Sequence, residues 1–553
     1  MEALDWLVIG VFFLALIGII VWVVRQKQND SADYFLGGRD ATWLAIGASI
    51  FASNIGSEHL IGLAGAGASS GMAMAHWEIQ GWMILILGWV FVPFYTRSMV
   101  YTMPEFLERR YNPQSRTILS VISLVSYVLT KVAVTVYAGG LVFQQVFGIK
   151  ELWGIDFFWI AAIGLVVLTA LYTIFGGMKS VLYTSVLQTP ILLLGSLIIL
   201  VLGFKELGGW DEMMRVCGAV TVNDYGDTMT NLIRSNDDAN FPWLGALIGS
   251  AIIGFWYWCT DQFIVQRVLS GKNEMEARRG TIFGAYLKLL PVFLFLIPGM
   301  IAFALHQKYI GAGGEGFLPM LANGTANADA AFPTLVAKLL PAGVKGLVVC
   351  GILAALMSSL ASLFNSSAML FTIDFYKRFR PETPEKKLVG IGQVATVVIV
   401  ILGILWIPIM RSVGDVLYTY LQDVQSVLAP GIAAAFLLGI CWKRTSAQGG
   451  MWGLIAGMVI GLTRLGAKVY YSNAGEVADS TFKYLFYDMN WLFFCGWMFL
   501  FCIIVVIVVS LATKAPTAEK IQGLVFGTAT KEQKAATRAS WNHWDIIHTV
   551  IIL

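Results

Sequence analysis

Apolar runs of about 20 residues recur along the whole chain between short polar stretches, the helix length that crosses roughly 30 Å of hydrocarbon. They predict spans near 4–24, 43–66, 72–96, 117–147, 155–175, 181–203, 242–266, 281–305, 333–376, 388–410, 413–441, 447–467 and 488–512. The first run is too long for a signal-peptide core and is followed by Arg25 and Lys27 rather than a small-residue cleavage site, so it counts as a span. The last run, Trp544 to Leu553, is about half a span and predicts a final helix that is entered and not completed. The fold class is therefore all-α integral membrane, with about 14 spans. The stretch 514–541 is polar and reads as disordered or surface-helical.

Two spans differ from ordinary lipid-facing helices. The second carries Ala48-Ser49-Ile50-Phe51-Ala52-Ser53-Asn54-Ile55-Gly56-Ser57-Glu58-His59, and the seventh carries Gly249-Ser250 through Trp258-Cys259-Thr260-Asp261, with small and polar residues at mid-depth. They lie five spans apart and start from opposite sides of the membrane. Interrupted segments at matching places in two halves are the sequence pointer to a transporter built of inverted repeats. Close helix packing is the plainer explanation for either segment alone.

Composition sharpens this. Of 553 residues, 57% are hydrophobic and 13% charged, against about 25% charged in soluble domains. A net charge of +3 says little about partners, and nothing points to nucleic acid. Its distribution says more. With the N-terminus outside, the inward segments collect 24 Lys and Arg and the outward segments 11, which places the N-terminus out of the cell by the positive-inside rule. Of six cysteines only Cys217 falls in an outward loop, so no loop disulfide is expected. Asn323-Gly324-Thr325 is a glycosylation triplet in an outward loop.

Lys288 is the sharpest single residue. It lies ten residues past Arg278, hence roughly 15 Å deep, and a charge at the midplane marks a functional site by default. Glu78, about 10 Å past the Gly71 turn, supplies donors and acceptors at comparable depth together with His59, Asn54 and Gln422. Trp77, Tyr257, Trp258 and Tyr418 lie beside them. Carboxylate, amide and ammonium groups between aromatic walls suit a neutral polyhydroxylated ligand, whose hydroxyls need many hydrogen bonds and whose apolar face stacks on rings. A second cluster suits an ion. Ala355, Ser358, Ser359 and Ser362 form one helical stripe, and hydroxyls with carbonyls freed at a broken helix hold a hard cation without a carboxylate. Ala52 and Ile55, one turn apart at the break, are placed to supply those carbonyls. The five histidines show no metal-ligand spacing, and Walker, Rossmann and Gly-x-Ser-x-Gly motifs are absent, so no enzyme is expected.

At these residues the chain resembles the sodium:solute symporter family, in particular its sodium/glucose cotransporter group. The resemblance runs from Asp33-Tyr34-Phe35-Leu36 to Trp442-Lys443-Arg444 and rests on Gly47 to Gly56, Trp256 to Gln262 with Ile264 to Arg267, Tyr286-Leu287-Lys288, and Leu356 to Leu360 with Phe364-Asn365-Ser366. It implies a LeuT-type core of two inverted five-helix repeats with peripheral helices. The parts would be 1–42 (first span and cytoplasmic loop), 43–203 (first repeat), 204–241 (extracellular loop), 242–441 (second repeat) and 442–553 (C-terminal spans). It further implies a sugar site of Asn54, His59, Glu78, Tyr257, Trp258, Lys288 and Gln422, and gates at Leu63, Trp77, Tyr257 and Tyr418. The sodium site would use carbonyls of Ala52, Ile55 and Ala355 and hydroxyls of Ser358 and Ser359. Thr184-Ser185 stands where the family often has Thr-Asp, and Ala361 where two-sodium members carry Thr, so one Na⁺ per sugar is expected. Gln425 and Gly254 also depart from the pattern near the sugar. The expected activity is Na⁺-driven uptake of a glucose- or galactose-like monosaccharide across the cell membrane. The alternatives are another polyol such as inositol, or a membrane sugar sensor; against the sensor, the longest inward segment is under thirty residues.

Overall fold

The computed structural model describes residues 1–553 except 27, 29, 57, 322–323, 414–416 and 474–477, and the side chains except, in addition, those at 129–130, 409–423 and 473. Asn323 of the glycosylation triplet lies outside the described residues.

Among the described residues, ten helices are long and apolar enough to cross a membrane. Their burial sorts them into shells. The span Val344–Phe379 has 89% of its apolar window buried, whereas Ala3–Val24 has 22% and Trp491–Ala512 has 33%. The first runs through the centre, and the other two lie at the periphery. There Leu14, Leu405, Trp497 and Leu511 stay exposed, as lipid-facing side chains do when no water drives them inward.

The segment predicted as one span over 333–376 is two elements. A helix Ala331–Leu339 stops, and a longer one starts at Val344 and continues to Met369. Pro341 and Gly343 (φ +79°) account for the break, because neither continues a helix readily. The new helix start is satisfied from another span: Asp5 Oδ1 accepts from Gly343 N at 2.7 Å and Gly346 N at 2.8 Å. A carboxylate here also meets the positive end of the helix dipole. The spans 155–175 and 181–203 meet at Gly177, which takes φ +53°, ψ −149° inside the run Phe157–Leu207.

Both interrupted spans break as expected. The helix Trp43–Asn54 ends where Ile55 turns extended (φ −78°, ψ 110°), and the chain re-enters helix through a π-turn at Glu58–Leu63 and Ala64–Ser70. The second runs as Trp243–Gly254, a π-turn Phe255–Thr260, extended Asp261 (φ −77°, ψ 127°), and Gln262–Leu269. Against the first break pack Glu274–Lys288 and Val344–Met369.

The stretch 514–541 is not loose. Short helices at Ala518–Ile521 and Lys531–Ala539 lie across the ends of several spans. Lys520 donates to the Glu108 carbonyl (2.9 Å), Phe526 N to the Ile440 carbonyl (2.9 Å), Arg97 to Thr537 Oγ1 (2.6 Å), and Arg278 to Ser540 Oγ. Polar composition signals disorder only when those groups have water alone as partner; here other spans provide partners.

Candidate functional site

The two breaks bring the polar residues together. Asn54, the last residue of its half-helix, donates from Nδ2 to Tyr257 Oη (3.1 Å) and accepts at Oδ1 from Lys288 Nζ (3.2 Å). Lys288 ends the helix Glu274–Lys288, and its ammonium also meets Glu78 Oε2 at 2.6 Å. The two charged side chains are buried, at 4% and 3% exposure. Such a pair persists only when fully compensated, since burying either charge alone costs several kcal/mol (order of magnitude). Glu78 follows a 3₁₀ turn, Gly71–Trp77, so it sits at an irregular point of its span rather than on a regular helix face. Lys288 also lies 5.4 Å from the centre of the Trp258 ring, which stands edge-on to Tyr257.

Asn54, Glu78, Tyr257, Trp258 and Lys288, together with His59, line one cavity, which gathers convergent polar groups between aromatic walls as small-molecule sites do. Trp77, Gly254 and Gln425 line it too, as do Glu58, Gln80 and Ile253, which the sequence did not single out. His59 Nε2 is 3.3 Å from Glu78 Oε2 but out of hydrogen-bond alignment. Both His59 ring nitrogens and Trp77 Nε1 are buried without a hydrogen-bond partner among the described residues. Orphaned polar atoms of this kind cost about 1–3 kcal/mol each, so a cavity lined by them is ready for a polar ligand. Leu63 and Trp77 are buried, and Trp77 stacks on Trp491 at 5.7 Å. The side chains of Gln422 and Tyr418, on the helix Leu417–Cys441, lie outside the described residues.

The hydroxyl cluster forms the seam between the first broken helix and Val344–Met369. Ser359 Oγ donates to the carbonyls of Ser53 (2.8 Å) and Ile55 (3.2 Å). Ser358 Oγ instead faces Ser185 Oγ (3.3 Å), and Ser185 in turn reaches Ser49 Oγ (3.4 Å). Ala52 and Ala355 are buried along the same seam. Ile55 and Ser359 are thus in contact as expected, whereas Ser358 points to a neighbouring hydroxyl cluster. The donor set is neutral oxygen throughout, the chemistry a hard monovalent cation takes.

An ion pair that the sequence reading passed over lies on the other side of Tyr257. Lys131 Nζ meets Asp261 Oδ2 at 2.7 Å and sits 4.7 Å from the Tyr257 ring centre. Tyr127 Oη donates to Asp261 Oδ1, and Asp261 caps the helix Gln262–Leu269. The signal was available, because Lys131, like Lys288, is a lysine inside a predicted span. Only the depth of Lys288 drew attention to it.

A profile of the sodium:solute symporter family matches residues 34–457. The chain belongs to that family. Sodium is accordingly the ion to which this symporter couples. Among its relatives, the mouse (Mus musculus) sodium/myo-inositol cotransporter 2 is 36% identical over 542 residues, covering 96% of this chain and 80% of that protein. The zebrafish (Danio rerio) sodium/glucose cotransporter 4 is 35% identical over 560 residues, covering 98% and 84%. The fold is similar to that of a Na⁺-coupled sialic acid symporter solved in a substrate-bound outward-open state. That likeness has a TM-score of 0.72 at 21% identity and covers 93% of this chain and 99% of that one. The symporter has the LeuT-type architecture of inverted repeats with additional peripheral helices.

Proposed function

We propose that the symporter carries a neutral ring polyol, a hexose or an inositol, into the cell together with one Na⁺ by alternating access. The observation that carries this reading is the buried cavity at the two helix breaks. Its buried opposite charges, Glu78 and Lys288, balance each other, a second, half-buried carboxylate, Glu58, also lines it, and His59 and Trp77 retain unpartnered polar atoms. A charged solute would upset that balance, and Glu78 in the wall disfavours an anion; a polyol offers hydroxyls as both donors and acceptors. The hexose reading rests on the resemblance of the site residues to those of the sodium/glucose cotransporter group. The inositol reading gains support from the names of several relatives.

In this reading Asn54, His59, Glu78, Lys288 and Gln422 bind hydroxyls, and Tyr257 and Trp258 stack on the ring. Na⁺ takes the Ile55 carbonyl and the Ser359 hydroxyl, with Ala52, Ala355 and Ser358 completing its shell. Ion binding there ties the first broken helix to Val344–Met369 and so orders Asn54 and His59, which lie on either side of that break. Two ligands favouring one state bind cooperatively, and the Na⁺ gradient thereby drives the polyol. Leu63, Trp77 and Tyr418 close the outer side, and movement of Tyr257 opens the inner one. Ser185 offers no carboxylate, and Ala361 no hydroxyl, for a second ion, hence one Na⁺ per solute.

The test is uptake into proteoliposomes of radiolabelled glucose, galactose and myo-inositol with and without a Na⁺ gradient. At least one is expected to accumulate only with Na⁺, and Ser359→Ala to abolish that dependence. Equal uptake in sodium-free buffer sinks the coupling. A Hill coefficient for Na⁺ near two would overturn the single-ion stoichiometry.

A further inference from the structure

Gln80, two residues after Glu78, lines the same cavity and is 3% exposed. Its Nε2 donates to the Ser250 carbonyl at 3.0 Å. An amide has an acceptor end as well as a donor end, and Oε1 has no hydrogen-bond partner among the described residues. What holds the amide in this place is visible at Gly254. A Cβ there would lie 2.5 Å from Gln80 Oε1 and 3.0 Å from its Cδ. The backbone at Gly254 is ordinary helix (φ −61°, ψ −41°), so conformational need does not explain a glycine that weakens a helix relative to alanine. Space does: the Gln80 amide occupies the volume that any larger residue at 254 would fill.

We propose that Gly254 and Gln80 act as one specificity element, in which the glycine admits the amide and Gln80 Oε1 accepts a hydrogen bond from one particular hydroxyl of the solute. This rests on the polyol reading above. The Nε2 tie to Ser250 fixes which way round the amide sits, so the cavity presents an acceptor, and an acceptor reads a hydroxyl in a way it cannot read a hydrogen. A solute lacking that hydroxyl leaves Oε1 buried and unpaired, which lowers its apparent affinity roughly 10- to 100-fold. Substitution at 254 acts on the same reading indirectly, by displacing the amide.

The experiment is competition of Na⁺-dependent uptake by a panel of monodeoxy hexoses and deoxy-inositols, on the wild type, Gln80→Ala, Gly254→Ser and the double variant in proteoliposomes. The wild type is expected to discriminate against one deoxy position by roughly 10- to 100-fold, with Gln80→Ala lowering uptake of the parent solute but not of that analogue, so that the ratio collapses towards one. Gly254→Ser alone impairs uptake, and adding Gln80→Ala restores part of it because the space is freed. An unchanged rank order in Gln80→Ala overturns the proposal, as does a double variant no better than Gly254→Ser. Thermal midpoints of each purified variant separate loss of fold from loss of selectivity. Absence of Na⁺-dependent polyol uptake in the wild type would instead overturn the functional reading on which this one rests.

Discussion

Lys288 satisfies Asn54 and Glu78 with one ammonium, so its removal strands a carboxylate at 3% exposure. Breaking a buried pair from one side costs about 3–5 kcal/mol. Lys288→Met is therefore expected to lose transport and to lower the thermal midpoint in detergent, while Lys288→Met with Glu78→Gln recovers the midpoint and not the transport. An unshifted midpoint in the single variant would mean that water reaches Glu78. Asp329, in the short helix Ala328–Ala330 between two spans, shows the opposite balance. Burial raises its carboxyl to about 6, and a Cβ on Gly65 would come within 2.7 Å of its Oδ1. A folded-state value above the unfolded one favours the protonated form, so this residue's contribution to stability falls as pH rises from about 4 through about 6. Asp329→Asn should raise the midpoint at pH 8 and progressively less below pH 6; a gain independent of pH would refute it. Residues of this kind differ in how readable they are. Lys288 and Glu78 stand out because charge inside an apolar run is rare. Gln80 does not, because its meaning depends on a glycine 174 positions away.

Helices were readable where hydropathy decides and unreadable where backbone detail does. The two broken spans announced themselves through Ser, Asn and Gly at mid-depth, and the breaks fall at Ile55 and Asp261 within those segments. The π-turns flanking them, and the 3₁₀ turn that seats Glu78, left no trace in the sequence, since such turns arise from tertiary packing rather than residue preference. The stop at Leu340–Gly343 was hidden inside a long apolar run even though Pro341 and Gly343 mark it. Gly177 allows the sharpest test at this scale. Its φ of +53° with ψ −149° belongs to glycine, and a Cβ would lie 2.4 Å from the Tyr34 carbonyl oxygen. Strain in such a region costs on the order of 1–3 kcal/mol before any clash. Gly177→Ala should thus lower the thermal midpoint and the folded yield, and Gly10→Ala, with open space at its Cβ, should change neither. Equal midpoints for the two variants would show that the junction relaxes freely.

Charge asymmetry is a property of the whole chain and could be summed without any contact being known, yet it bears on where the ordered segment 514–541 lies. That segment spans the ends of Glu274–Lys288, the helix Met103–Arg110 and the helix ending at Cys441, through Arg278, Glu108 and Ile440. These ends carry the clusters Arg97 to Arg116, Arg267 to Arg279 and Lys443-Arg444, which the positive-inside rule puts in the cytoplasm. If so, the segment braces the inner face, and the ordered loop 204–241, with its buried Arg234–Asp238 pair, faces outward. Sidedness is directly measurable. Among the described residues Cys441 is the one exposed cysteine, so a Cys441→Ser background leaves little to label. In it, Asp224→Cys should react with a membrane-impermeant maleimide in intact cells, and Glu519→Cys only after permeabilisation; both native side chains are exposed. The reverse pattern would put the N-terminus inside and turn the direction of every gate around, with Tyr257 and the Lys131–Asp261 pair on the outer path and Trp77 on the inner one.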